Sequence, residues 1–163
     1  MKGEQANKMK IMDFLNKKAI SADIKSTDKE DVVRELVDLL AKSGVVKSKK
    51  EEIVKILMAR EALGSTGIGQ GVGIPHGKSP QIKSLVAAFG LSKKGVDFES
   101  LDGEAVYIFF LLLAPEDSAG PHLKALAKIS RLLKDKYVRE MLKNAQSEKE
   151  IIKIINNEDA KKR

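Results

Sequence analysis

Hydrophobic positions follow helical spacing early in the chain, gather into short continuous runs in the middle, and return to helical spacing towards the end. Val32, Val33, Leu36, Val37, Leu39 and Leu40 predict an amphipathic helix, with Thr27 and Glu30 at capping-box spacing before it and Gly44 as its stop. Ser48 with Glu51 opens a second predicted helix, which carries Ile53, Val54, Ile56, Leu57 and, in its last turn, Arg60. Upstream, residues 1–10 are expected to be a loose polar tail. A short helical turn is expected around Ile11, Phe14 and Leu15, then an extended piece over residues 19–24.

The middle of the chain predicts strands. Residues 85–91 are apolar and rich in small side chains, while Val96, Asp97 and Phe98 face residues 106–113 across a Leu101-Asp102-Gly103 turn, as in a hairpin. Residues 106–113 are apolar at odd and even positions alike, which predicts a central strand covered on both faces. Beyond the loop 115–120, Pro121 takes the first position of a predicted helix with a stripe of Leu123, Leu126, Ile129, Leu132 and Leu133. A helical piece over 138–142 follows, and Ser147 with Glu150 caps a last helix through Ile151, Ile152, Ile154 and Ile155, with fraying after Asn157. These elements predict one α/β domain over residues 11–156, a mixed sheet between helical layers, and a frayed tail over 157–163.

One stretch fits none of these patterns. From Arg60 to Ser79 the chain reads REALGSTGIGQGVGIPHGKS. Each glycine in a helix costs about 1 kcal/mol relative to alanine, so the run cannot be helical. Gly67, Gly69, Gly71 and Gly73 alternate, and in extended chain they leave one face bare for another group to approach. Pro75 stiffens the corner that presents His76.

Composition narrows the chemistry. The 163 residues are 42% hydrophobic and 33% charged, the balance of a globular domain. The net charge of +7 comes from 30 basic residues dispersed among 23 acidic ones. With two Tyr, five Phe and no Trp, the aromatic platforms of a nucleic-acid binder are scarce, and no nucleic-acid partner is expected. The chain has no cysteine, which excludes disulfides, thiolate metal sites and thiol nucleophiles. The first residues lack the apolar segment of a signal peptide, and the run 106–114 is too short to cross a bilayer, so a cytoplasmic location is expected.

The only two histidines, His76 and His122, each follow a proline. A lone histidine is most often structural. His76 is set apart by its small neighbours and by a glycine-rich loop that can approach an anion. An imidazole is a competent nucleophile near neutrality, and phosphoryl transfer asks chiefly for positioning and charge neutralisation. Arg60 would bring a planar fork suited to phosphate oxygens, although a cation at a helix C-terminus is favoured in any case. Ser65 and Thr66 would donate hydroxyl hydrogen bonds, and His122 would stand in a helix's first turn, where the dipole favours its neutral form. Gly77-Lys78-Ser79 imitates the end of a nucleotide-binding loop, but Val72 stands where that motif needs glycine. Two histidines without cysteine or an HExxH pattern make a poor zinc set, and no GxSxG elbow marks a serine hydrolase.

Arg60-Glu61-Ala62 followed by GSTGIGQGVGIPHGK resembles the active-site signature of the enzyme IIA components of the sugar phosphotransferase system, fructose–mannitol class. GVDFESLDG at 95–103 and APEDSAGPHLKALAKISRLLKD at 114–135 extend the resemblance over roughly residues 11–156, with Gly73 where the family usually has alanine. The resemblance implies a three-layer α/β/α sandwich. It implies that His76 accepts a phosphoryl group at Nε2 from the phosphocarrier HPr and passes it to a cysteine of an enzyme IIB component, steadied by His122 and Arg60. Neither metal nor nucleotide cofactor is implied, and the membrane enters only through transporter components. Without cysteine the chain is expected to be a free-standing IIA. The family includes a nitrogen-related branch whose phosphorylation state controls regulatory target proteins. The 95–103 and 114–135 stretches look closer to the fructose branch.

Overall fold

The computed structural model describes residues 9–46 and 48–161. The predicted sandwich is present. A six-stranded mixed sheet holds β1 (Leu15–Ser21), β2 (Gly67–Gly69), β3 (Val72–Gly73), β4 (His76–Lys78), β5 (Val86–Val96) and β6 (Val106–Ala114). Its order is β1-β5-β6-β3-β2, with β4 continuing beside β6 beyond β3. Helices α1 (Lys29–Lys42) and α2 (Lys50–Ala62) supply one covering layer, and α3 (Ala119–Lys134), α4 (Lys136–Lys143) and α5 (Glu148–Asp159) the other. Among the described residues, no helix is long and apolar enough to cross a membrane.

The doubly apolar strand β6 explains why two layers form. Alternate side chains leave a strand on opposite faces. Accordingly Phe109, Leu111 and Leu113 join the α1/α2 core, while Ile108, Phe110 and Leu112 join the α3–α5 core. All six are fully buried, each stabilising the fold by about 1.5–3 kcal/mol in transfer terms. β5 is longer than residues 85–91. Its ladder with β6 runs on to Val96↔Val106, because pairing continues past the core while Lys93 and Lys94 stay exposed. Asp97 and Phe98 therefore lie in the connecting loop rather than in a strand.

Several ends differ from expectation for local reasons. Asp28, not Thr27, caps α1, its carboxylate accepting from the Asp31 N–H at 2.9 Å; a charged acceptor at a helix N-terminus outcompetes a hydroxyl one residue away. Gly44, in the left-handed region at φ 88°, follows the helix end as expected. Ser48 does not cap α2, because Lys49, at φ 62°, occupies the N-cap without a side-chain bond. Helix α3 begins at Ala119, so Pro121 is its third residue, where a missing N–H still costs nothing. The first 3-10 turn stops at Asp13 and β1 already spans Leu15–Ser21, earlier than the 19–24 piece. Ser147 caps α5 as expected, but α5 does not fray at Asn157. It continues to Asp159, whose carboxylate accepts the Ile11 and Met12 N–H groups at 2.9 and 3.1 Å. Most of the expected N-terminal tail, residues 1–8, and residues 162–163 lie outside the described residues.

Candidate active site

The glycine stretch folds as a hairpin followed by a separate strand. Gln70 and Gly71 both have positive φ, 62° and 78°, and form the two-residue turn between β2 and β3. Asp102 stabilises the turn by accepting the Gln70 N–H at 3.1 Å. The four alternating glycines therefore do not share one extended face. Close approach is real at Gly67, where an added Cβ would sit 2.4 Å from Ser100 Oγ on the β5–β6 loop. Ile74 and Pro75 then interrupt the strand, and β4 resumes parallel to β6 with His76 beside Leu112.

That interruption places His76. Its Nδ1 lies 2.7 Å from the Ile74 carbonyl oxygen. A carbonyl only accepts, so Nδ1 carries the proton and Nε2 keeps its lone pair. Burial is the main influence holding the half-buried ring's pKa below the ordinary imidazole value. Arg60 pushes the same way, and the Ile74 carbonyl and Glu61 oppose it.

His122 meets His76 edge to face, with ring centroids 5.6 Å apart and an interplanar angle of 61°. It is 7% exposed, and its Nε2 is buried without a hydrogen-bond partner. Its pKa is also lowered, chiefly by burial, then by His76 and Lys78. The expected neutral ring thus has a different principal cause from the helix dipole. Nor is the backbone N–H of His122 free for an anion, since it donates to Ser118 O at 3.0 Å.

Helix α2 reaches this corner because β4 has glycine at position 77, against which Ile56 packs; an added Cβ would lie 3.2 Å from that side chain. Arg60, in the last turn of α2, donates from one arm of its fork to Gly64 O at 2.7 Å. The structure thus brings His76 and His122 together, with Arg60 near enough to act electrostatically on His76. Ser65 and Thr66 are spent elsewhere. Ser65 Oγ donates to Phe98 O at 2.8 Å and accepts the Gly67 N–H at 3.0 Å. The Thr66 hydroxyl donates to Glu61 Oε2. Glu61 itself was not singled out from the sequence, because a carboxylate in a helix's last turn usually faces water.

A sequence profile described as "Phosphoenolpyruvate-dependent sugar phosphotransferase system, EIIA 2" matches residues 13–158. The chain is 41% identical over 151 residues to a fructose-specific EIIABC component of Bacillus subtilis, covering 93% of this chain but only 24% of that one. It is 38% identical to a nitrogen regulatory protein of Bradyrhizobium diazoefficiens, over 90% of this chain and 95% of that one. The crystal structure of the nitrogen regulatory protein IIA-Ntr from Neisseria meningitidis superposes with a TM-score of 0.82 at 34% identity, covering 89% of this chain and 98% of the other. With the sandwich and the paired histidines in view, the chain belongs to the EIIA 2 family of the phosphoenolpyruvate-dependent sugar phosphotransferase system.

Proposed function

We propose that the protein is a phosphoryl carrier with His76 as its covalent site. The Nε2 lone pair of His76 attacks the phosphorus of phosphohistidine on HPr. A new P–N bond forms as the donor's P–N bond breaks, and that electron pair returns to the donor ring. No proton need move, since Nδ1–H remains on the Ile74 carbonyl. Arg60 neutralises the transferring group with its remaining guanidinium donors, and His122 Nε2 gains in a phosphoryl oxygen the partner it lacks. Ser65 and Thr66 shape the loop instead of contacting phosphate. A cysteine thiolate of an enzyme IIB component then takes the group, and the pair of the broken P–N bond returns to Nε2. No metal or nucleotide takes part. The carrier acts in the cytoplasm and meets the membrane only through transporter components.

The observation carrying this reading is the Nδ1 bond to Ile74, which leaves Nε2 as the ring's nucleophile beside an unpartnered, buried histidine nitrogen. The acceptor is proposed to be a sugar-transport IIB of the fructose type, supported by the 41% identity to the fructose-specific relative. A second reading is favoured by the match along nearly the full length of a nitrogen regulatory protein. There the same phosphohistidine is a switch, its added charge altering affinity for a target protein. Incubation with phosphoenolpyruvate, enzyme I and HPr is expected to label the protein, and His76→Ala to abolish labelling while the fold is retained. Full labelling of that variant would refute the site. Discharge onto a IIB cysteine and sugar supports transport, whereas a persistent phosphohistidine with phosphorylation-dependent target binding supports the switch.

A further inference from the structure

The carboxylate of Glu61 takes no part in the chemistry above. Its side chain is 2% exposed, near the end of α2. Oε1 accepts from Lys29 Nζ at 2.9 Å and from the Thr66 N–H at 3.2 Å, while Oε2 accepts from the Thr66 hydroxyl. The bonds continue from there. Thr66 O accepts the Ile74 N–H at 3.0 Å, and Ile74 O accepts Nδ1–H of His76 at 2.7 Å. The buried carboxylate thus holds Thr66, Thr66 holds Ile74, and Ile74 holds the imidazole.

We propose that Glu61 is a positioning residue for His76, fixing the backbone of Thr66 and, through it, of Ile74, so that Nδ1 stays protonated and Nε2 free. The inference rests on His76 being the phosphoryl acceptor. The coupling is one of position: with Thr66 held at its N–H and hydroxyl, its carbonyl fixes the Ile74 N–H, and Ile74 in turn aims its own carbonyl at Nδ1. Arg60 pins Gly64 and Glu61 pins Thr66, so adjacent residues of α2 hold both sides of Ser65. Lys29, on the neighbouring helix, gives the buried carboxylate a cationic partner at 2.9 Å. The charge also raises the affinity of His76 for protons, against burial and Arg60.

The test is nitrogen-15 NMR of the His76 ring in unphosphorylated protein, together with the rate of labelling by phospho-HPr. Wild type is expected to show the Nδ1–H tautomer. Glu61→Gln is expected to show mixed tautomers, a lower His76 titration midpoint and labelling slower by about tenfold, as for a modest misplacement of a reacting group. Thr66→Val is expected to follow it, and Thr66→Ser, which keeps the oxygen, to fall less. A folded Glu61→Gln with wild-type tautomer, titration and rate overturns the proposal. Should that variant not fold, Thr66→Val decides by the same readouts, and unchanged values there overturn it. Wild-type protein unlabelled at His76 would instead sink the carrier reading, because the tautomer measurement needs no donor.

Discussion

The central strand β6 has two quite different neighbours. On one side β5 pairs with it residue by residue from Val86↔Leu113 to Leu91↔Ile108, and the side chains between are wholly buried. On the other side the cover is broken. β3 and β4 each take a short length of β6, and Ile74-Pro75 stands between them. Even there backbone groups are not wasted, since Pro75 O accepts the Leu112 N–H at 2.9 Å and Ile74 O accepts from His76. Unbroken pairing spends every carbonyl on the sheet, whereas an interruption releases one to orient a side chain. The frame and the proposed chemistry share one strand and divide its two edges.

That division can be broken from either side. Phe110→Ala, on β6 and packed at 5.0 Å against Phe89, should cost about 3–5 kcal/mol of stability by chemical denaturation. The site of the protein that remains folded should be unaffected. A selective loss of labelling without a loss of stability would mean that the two edges are not separable. His122→Ala and Arg60→Lys should do the reverse, slowing onward transfer by roughly tenfold with little change in stability, since a point charge cannot replace a planar fork. Normal transfer in either variant would leave that residue a structural role only.

A smaller effect follows from the two lowered histidine pKa values. In the unfolded chain both rings protonate near pH ~6.5. In the folded protein they resist until lower pH, so stability present above that range is lost as pH falls through it, because the unfolded state binds protons first. The loss between about pH 7.5 and about pH 5.5 should shrink in the His76→Ala, His122→Ala double variant. Labelling, which needs the His76 ring neutral, should persist below the ordinary imidazole range. An undiminished loss in the double variant would place the titrating groups elsewhere.

What the sequence made legible divides along the same line. The frame follows from periodicity, since the doubly apolar β6 and the stripe of α1 declare their buried faces, as does α3 from Ile129 onward; in its first turns Leu123 is instead 67% exposed, and His122 and Ala125 are buried. His76, His122 and Arg60, the proposed site, stand out in the sequence because glycine and proline punctuate their surroundings and histidine is scarce. What stayed hidden was long-range or depended on backbone sign. Asp159 holds residues 11 and 12 from the far end of the chain, which no local pattern announces. Alternating glycines look extended until Gln70 and Gly71 turn left-handed. Glu61 and Thr66 reveal their bond only when α2 and the following loop are folded together.

The most direct measurement is mass spectrometry of protein phosphorylated by HPr, paired with phosphorus–nitrogen NMR of the product. A single phosphoryl group on Nε2 of His76, with Nδ1 still protonated, is the expected result. Phosphorus on Nδ1, on His122 or on any hydroxyl would contradict the role assigned to the Ile74 carbonyl and to the broken edge of the sheet.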